Sequence, residues 1–302
     1  MNVPAKLAAF AAVLAVAFGG AALAGAAIDP TEADQTAGAA HGGSERTGGE
    51  GHGEPAGGHG QAADAHGEAA DAAPGGLAVS EGGYTLEPDR TTFAAGEPAR
   101  FSFHISDARA RAVRDFELEH ERELHLIVVS RDTATYRHLH PRKSPDGTWS
   151  VELSLPEPGA YRAYADFTVG GERHTLAADL VVPGELTPQP FPVPTTADED
   201  AGYDVELRAD HPEAGSEGEL TFAVTRDGEP VEALQDYLGA KGHLVALREG
   251  DLAYLHVHPT DAGANEVPFA ATFPSAGRYR LFFQFKTDGR VRTVDYTLEV
   301  PR

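Results

Sequence analysis

The chain contains no cysteine, and its single methionine is Met1. Disulfides, thiolate metal sites, cysteine nucleophiles and thioether ligands are therefore excluded. Any metal ion held here must be bound by His, Asp, Glu or backbone oxygen. Positive charge is also scarce. Lys and Arg number 24 against 47 Asp and Glu, for a net charge of -23. Binding nucleic acid needs clustered Lys and Arg over the phosphates, so the charge argues against that partner and none is expected. The acidic surplus attracts cations instead. Long helical periodicity is missing, as are a phosphate loop, a His-Glu-x-x-His helix and a Ser-His-Asp signature in a plausible context. The expectation is a protein that is not an enzyme.

Residues 1–28 read as an export signal or a membrane anchor. Lys6 is a thin positive region, 7–18 is an apolar run, and Ala22-Leu23-Ala24 offers a small-x-small cleavage site. About 20 apolar residues are enough to span a bilayer if cleavage does not occur. Residues 29–76 are built from Ala, Gly, Glu, Asp and His, with almost no aromatic or β-branched side chain. Such a segment cannot bury enough apolar surface to offset its ordering entropy and is expected to be disordered. It carries His41, His52, His59 and His66 among acidic residues, a composition that either binds metal loosely or is incidental to a flexible, soluble spacer.

From residue 77 the pattern changes to short strands separated by turn residues. Strands are expected at 84–87, 99–106, 124–130, 135–140, 148–155, 160–168 and 172–182. A second set is expected at 203–208, 219–225, 243–248, 254–258, 267–273, 278–286 and 290–300. Pro145-Asp146-Gly147, Gly170-Gly171 and Asp288-Gly289 mark turns. The fold class is all-β: two tandem immunoglobulin- or cupredoxin-like β-sandwiches, at 77–185 and 198–302. The proline-dense connector at 186–197 should be extended and semi-rigid.

One segment occurs twice, at an offset of 118 residues. His125-Leu126-Ile127 leads to Tyr136-Arg137-His138-Leu139-His140-Pro141; His243-Leu244-Val245 leads to Tyr254-Leu255-His256-Val257-His258-Pro259. Residues i and i+2 of a strand share a face, which pairs His138 with His140 and His256 with His258. A tight turn centred on Arg131-Asp132 would set His125 opposite His138, and one centred on Glu249-Gly250 would set His243 opposite His256. Three imidazoles on one face can converge on one ion, at about 2.0 Å per bond. Ile127, Val129 and Tyr136, and likewise Val245, Leu247 and Tyr254, share that face. The sites are thus expected at the rim of an apolar sandwich face. His120 and Glu121 stand beside the first trio, either as a fourth ligand or orienting carboxylate, or as surface loop residues. The Pro-x-x-Gly-x-Tyr unit repeats as well, at Pro156 to Tyr161 and Pro274 to Tyr279, and needs only a structural role at a sheet corner.

The stretch from Glu121 through His125-Leu126-Ile127-Val128-Val129-Ser130-Arg131-Asp132, followed by Tyr136-x-His-Leu-His-Pro, resembles bacterial exported β-sandwich domains described as YtkA-like, FixH-like or heavy-metal-binding. Leu238-Gly239-Ala240-x-Gly242-His243 with Tyr254-x-His-Val-His-Pro resembles a second branch of that group. The resemblance covers residues 80–302. It implies copper or other metal handling at the cell envelope. It would give the ligand role to His125, His138 and His140, and to His243, His256 and His258. Without Cys and Met, Cu(II) or Zn(II) fits such a ligand set and blue-copper electron transfer does not.

Two functions remain open. The first is an exported Cu(II)- or Zn(II)-binding chaperone or buffer, secreted or attached to the outer face of the cytoplasmic membrane. The second is a cell-surface interaction module, docking on another envelope protein, whose histidine clusters are structural.

Overall fold

The computed structural model describes residues 74–302, apart from 211, 256, 261 and 262 and the side chain of His258. The expected signal or anchor, and the expected disordered segment up to residue 73, lie outside the described residues. Every regular element described is a β-strand, as the short alternating runs and closely spaced turn residues dictate.

The first sandwich comprises β1 (Ser80–Glu81), β2 (Tyr84–Pro88), β3 (Ala99–Asp107), β4 (His125–Ser130), β5 (Tyr136–Leu139), β6 (Arg142–Lys143), β7 (Trp149–Leu153), β8 (Gly159–Val169) and β9 (Glu172–Val182). Its sheets run β1-β2-β3-β7-β6 and β5-β4-β8-β9. The second comprises β10 (Ala197–Asp200), β11 (Tyr203–Asp210), β12 (Glu217–Arg226), β13 (Glu229–Pro230), β14 (Gly242–Arg248), β15 (Tyr254–Leu255), β16 (Val257–Pro259), β17 (Glu266–Thr272), β18 (Gly277–Thr287) and β19 (Arg290–Val300). Its sheets run β10-β11-β12-β17-β16, with β13 beside β12, and β15-β14-β18-β19. Phe101, Phe103, Leu126, Val128 and Trp149 fill the first core, and Phe222, Leu244, Ala246, Phe269 and Phe283 the second. Both repeated tyrosines serve as the expected corner: Tyr161 Oη donates to the Glu157 carbonyl and Tyr279 Oη to the Ser275 carbonyl, each at 2.8 Å.

Alternation along β4 and β14 settles where the histidine face lies. Leu126 and Val128 point into the first core, and Leu244 and Ala246 into the second. The other face of β4 carries His125, Ile127 and Val129; that of β14 carries His243, Val245 and Leu247. This second face is not the rim of a single sandwich, as expected from sequence. It is the joint between the two. Ile127, Val129, Tyr164 and Ala177 of the first sandwich form one buried cluster with Val245, Leu247, Leu252, Tyr254 and Phe282 of the second. A strand buried on both faces reads as a continuous apolar run, which both copies show.

The joint has approximate two-fold symmetry between the repeats. Tyr136 stacks on Phe282 with ring centroids 4.2 Å apart, and the equivalent pair, Tyr254 and Tyr164, meets at 5.4 Å. Residue i meets j and the counterpart of j meets that of i, the pattern of an isologous interface formed within one chain. Polar contacts close its far end: Tyr164 Oη donates to the Leu252 carbonyl at 2.6 Å, and Arg131 Nη2 to the Gly250 carbonyl at 3.1 Å.

Residues 74–76 were expected at the end of the disordered segment, yet they are placed at this joint. The Tyr254 amide donates to the Gly75 carbonyl (2.9 Å), and the Gly76 amide to the Thr175 carbonyl (2.8 Å). Gly76 adopts φ +70°, and a Cβ there would lie 2.6 Å from the Tyr164 ring and 3.0 Å from Tyr254 Cβ. Gly83 has a similar φ of +83° with nothing within 4 Å of such a Cβ. Gly83→Ala should therefore cost only the left-handed backbone penalty of about 1 kcal/mol. Gly76→Ala should cost roughly 2–4 kcal/mol, since overpacking adds to that penalty. Urea denaturation of both variants checks the difference.

Candidate metal centre

Both hairpins that carry the histidines differ from the expected register in the same way. The ladder pairs Ile127 with His138 and Leu126 with Leu139, so that His125 lines up with His140 rather than His138. In the second sandwich Leu247 pairs with Tyr254, two residues beyond the expected partner. Each connection is a four-residue loop instead of a two-residue turn. In the first, Asp132 Oδ1 accepts from Ser130 Oγ (2.6 Å) and from the Ala134 amide (3.2 Å), and Thr133 takes φ +63°. A shift of two keeps the parity of the pleat, so the face assignment survives although the pairing was wrong.

His125, His138 and His140 each bring one ring nitrogen within 4.8 Å of the other two. Their ring centroids are 5.2, 5.2 and 4.8 Å apart. Two imidazoles bound at about 2.0 Å to one tetrahedral ion have centroids roughly 5 Å apart, a spacing the three rings share.

The outer hydrogen bond of His125 fixes its tautomer, and that of His138 follows from the orientation of the Gln284 amide. His125 Nε2 lies 3.0 Å from the Glu119 carbonyl, which can only accept, so that nitrogen carries the proton and Nδ1 is a bare lone pair. His138 Nδ1 lies 2.7 Å from Gln284 Oε1 and, with the amide oxygen turned toward it, donates there and leaves Nε2 bare. Gln284 is held in turn by its Nε2 donating to Thr293 Oγ1 at 3.0 Å. In that orientation His125 Nδ1 and His138 Nε2 face each other bare at 3.0 Å; with the amide turned over, His138 Nε2–H donates to His125 Nδ1 instead. Two lone pairs at that distance repel unless a cation lies against them. A proton is disfavoured, because burial lowers the pKa of His125 and drives that of His138 well below its usual range. His140 Nε2 is buried with no hydrogen-bond partner.

The second sandwich is only partly equivalent. His243 Nε2 donates to the Tyr237 carbonyl at 2.8 Å, the counterpart of the His125–Glu119 bond. The carbonyls belong to matching two-residue turns, closed by mutual bonds between Glu119 and Arg122 and between Tyr237 and Ala240. Both central residues have positive φ, 48° and 62° at His120 and Glu121 and 53° and 75° at Leu238 and Gly239. This is the type I′ pattern. His256 lies outside the described residues. His258 is on β16, paired with Ala270 of β17, in the sheet opposite β14. The expected single strand at 254–258 is therefore overturned. Val257 packs in the second core, so the chain crosses to the other sheet after Leu255, whereas the first copy stays on its ladder to Leu139.

His243 instead joins the first trio from across the joint. Its ring centroid is 6.2 Å from that of His138 and 6.4 Å from that of His125. His120, left open between ligand and loop, sits 4.9 Å from His243 and 6.2 Å from His125. His120, His125, His138 and His243 line a cavity of about 40 Å³, room for one ion or water. Asp166 adjoins it, pairing with His125 across β4 and β8 and held by Arg173 and by Thr175 Oγ1 at 3.1 Å. Sequence reasoning missed this meeting of the copies, although the apolar outer faces of β4 and β14 were the signal for it.

The pKa of His140 and that of His243 are each lowered to about 4, chiefly by burial. Their unfolded values are near 6.5, so the unfolded chain binds more protons between those limits. Metal-free protein should therefore lose stability as pH falls from 6.5 toward 4. Urea midpoints measured across that window should drop, and less steeply in a His243→Gln variant.

The model of a family described as "Domain of unknown function (DUF8832)" matches twice, over residues 78–184 and 195–302. No curated protein matches the chain. Among solved structures, FdeC, an Escherichia coli adhesin, is 16% identical, with 74% of this chain and 66% of that chain covered and a TM-score of 0.25. A Salmonella α2-macroglobulin reacted with methylamine is 12% identical (77% and 16% covered, TM-score 0.27). The titin immunoglobulin tandem A164–A165 is 14% identical (71% and 95%, TM-score 0.19). The chain spans less than two thirds of the adhesin and of the macroglobulin, and TM-scores of this size carry no argument about function.

Proposed function

The chain belongs to this DUF8832 family as a tandem of two copies, and we propose that it is an exported metal-binding protein of the cell envelope, a chaperone or buffer for Cu(II) or Zn(II). One ion is held by His125, His138 and His140. The observation that carries this reading is the 3.0 Å approach of His125 Nδ1 to His138 Nε2, two lone pairs in repulsion when the outer nitrogens donate to the Glu119 carbonyl and the Gln284 amide oxygen. A bound ion would turn that repulsion into ligation. His140 Nε2, buried and unpartnered, supports a third ligand. Imidazole suits both metals, and the chain has no sulfur ligand for a redox copper site.

A second reading keeps the rings structural and makes the sandwiches an interaction module for another envelope protein. Thr293 favours it, because its hydroxyl can donate as well as accept. With the Gln284 amide flipped, its NH₂ would donate to His138 Nδ1, and His138 Nε2–H could donate to His125.

Equilibrium dialysis of the full chain against Cu(II) and Zn(II) separates the two. The metal reading expects a tight site that weakens by at least roughly 100-fold in a His138→Ala, His140→Ala double variant, beyond the effect of losing outer partners. Equal binding by the two proteins would remove it.

A further inference from the structure

We propose that the metal site of the first sandwich is completed by the second: Gln284 of β18 is a positioning residue that holds His138 in its metal-binding tautomer, so that ion binding and docking of the sandwiches are linked. The inference rests on the metal reading above and adds to it a dependence on the other half of the chain.

Three observations carry it. The His138–Gln284 bond, at 2.7 Å, crosses the joint, and it is the contact that leaves His138 Nε2 bare toward His125. Gln284 is not free to turn away, because β18 holds it opposite His243 and its amide donates to Thr293. The position is also singular within the repeat. Its counterpart on β8 is Asp166, opposite His125 in the same register, which is committed to Arg173 and Thr175 of its own sandwich. The first copy thus satisfies its acidic residue internally, while the second directs a neutral acceptor across the joint onto a ligand.

An acceptor behind a ligating imidazole fixes the tautomer and raises the basicity of the nitrogen that meets the metal. Here the acceptor stays within reach only while Tyr136 remains stacked on Phe282 and Tyr164 on Tyr254. Linkage is reciprocal, so an ion at the trio tightens the docking by the same factor as docking tightens the ion.

The test uses full-length protein, Zn(II) with a competing chromophoric chelator at pH 7, and three forms: wild type, Gln284→Leu and Gln284→Glu. Melting temperatures without metal report folding. Gln284→Leu should bind Zn(II) 10- to 100-fold more weakly, the loss typical of an outer-shell acceptor. Gln284→Glu should bind as tightly as wild type or more tightly, because a carboxylate accepts the same Nδ1–H. Wild-type affinity in a folded Gln284→Leu protein would overturn the proposal. So would a Gln284→Glu protein that binds weakly, since that points to an amide donor. If Gln284→Leu does not fold, Gln284→Glu alone decides by the same criterion. Failure of wild type itself to bind Zn(II) would defeat the metal reading, a distinct result.

Discussion

Burial of β4 and β14 on both faces is the constraint on which the rest of the molecule depends. One face of each strand fills its own core, and the other carries Ile127 and Val129, or Val245 and Leu247, which water would leave costly. The two sandwiches resolve this by covering each other, so the linker joins lobes that already have reason to meet. Five imidazoles follow them out of solvent, because they sit on the same pleat positions or on the turns that lead into them.

Placing imidazoles in such a joint changes their chemistry. Desolvation favours the neutral form of His125, His138, His140 and His243, and the carbonyls of Glu119 and Tyr237 decide which nitrogen of His125 and His243 offers its lone pair. The turns that present these carbonyls are unusual for their residues: His120 and Glu121 adopt a left-handed conformation that favours glycine. The first turn places two non-glycine residues in that conformation, where the second has Leu238 and Gly239.

Much of this was legible in the sequence. Strands at 172–182 and 290–300 were bounded to the residue, and the other expected ones within a few except 254–258, because turn glycines and alternating side chains punctuate them clearly; the short strands β1, β6, β10 and β13 were not foreseen. The 118-residue repeat announced the tandem plan. The shared face of His125, His138 and His140 was legible too, and it survived a wrong pairing because an even shift preserves the pleat. Loop length was not legible, since Asp132 stabilises a longer turn through side-chain bonds that composition does not reveal. Nor was the crossover after Leu255, where identical spacing in the two copies hides a different choice of sheet for Val257. Docking of one copy on the other was hidden for a different reason. An apolar face reads the same whether it covers its own core or a neighbour's, and only counting both faces of β4 distinguishes them.

Gly75 and Gly76 give the joint a mechanical character. The chain enters the described fold by threading between the lobes, with Gly75 bonded to Tyr254 of one lobe, Gly76 to Thr175 of the other, and Arg162 grasping the carbonyls of Gly76 and Leu77. Tension applied through the leading end would load this stitch before it reached either hydrophobic interior. Loss of the stitch would remove one backbone bond to each lobe while the strands of both stayed in place.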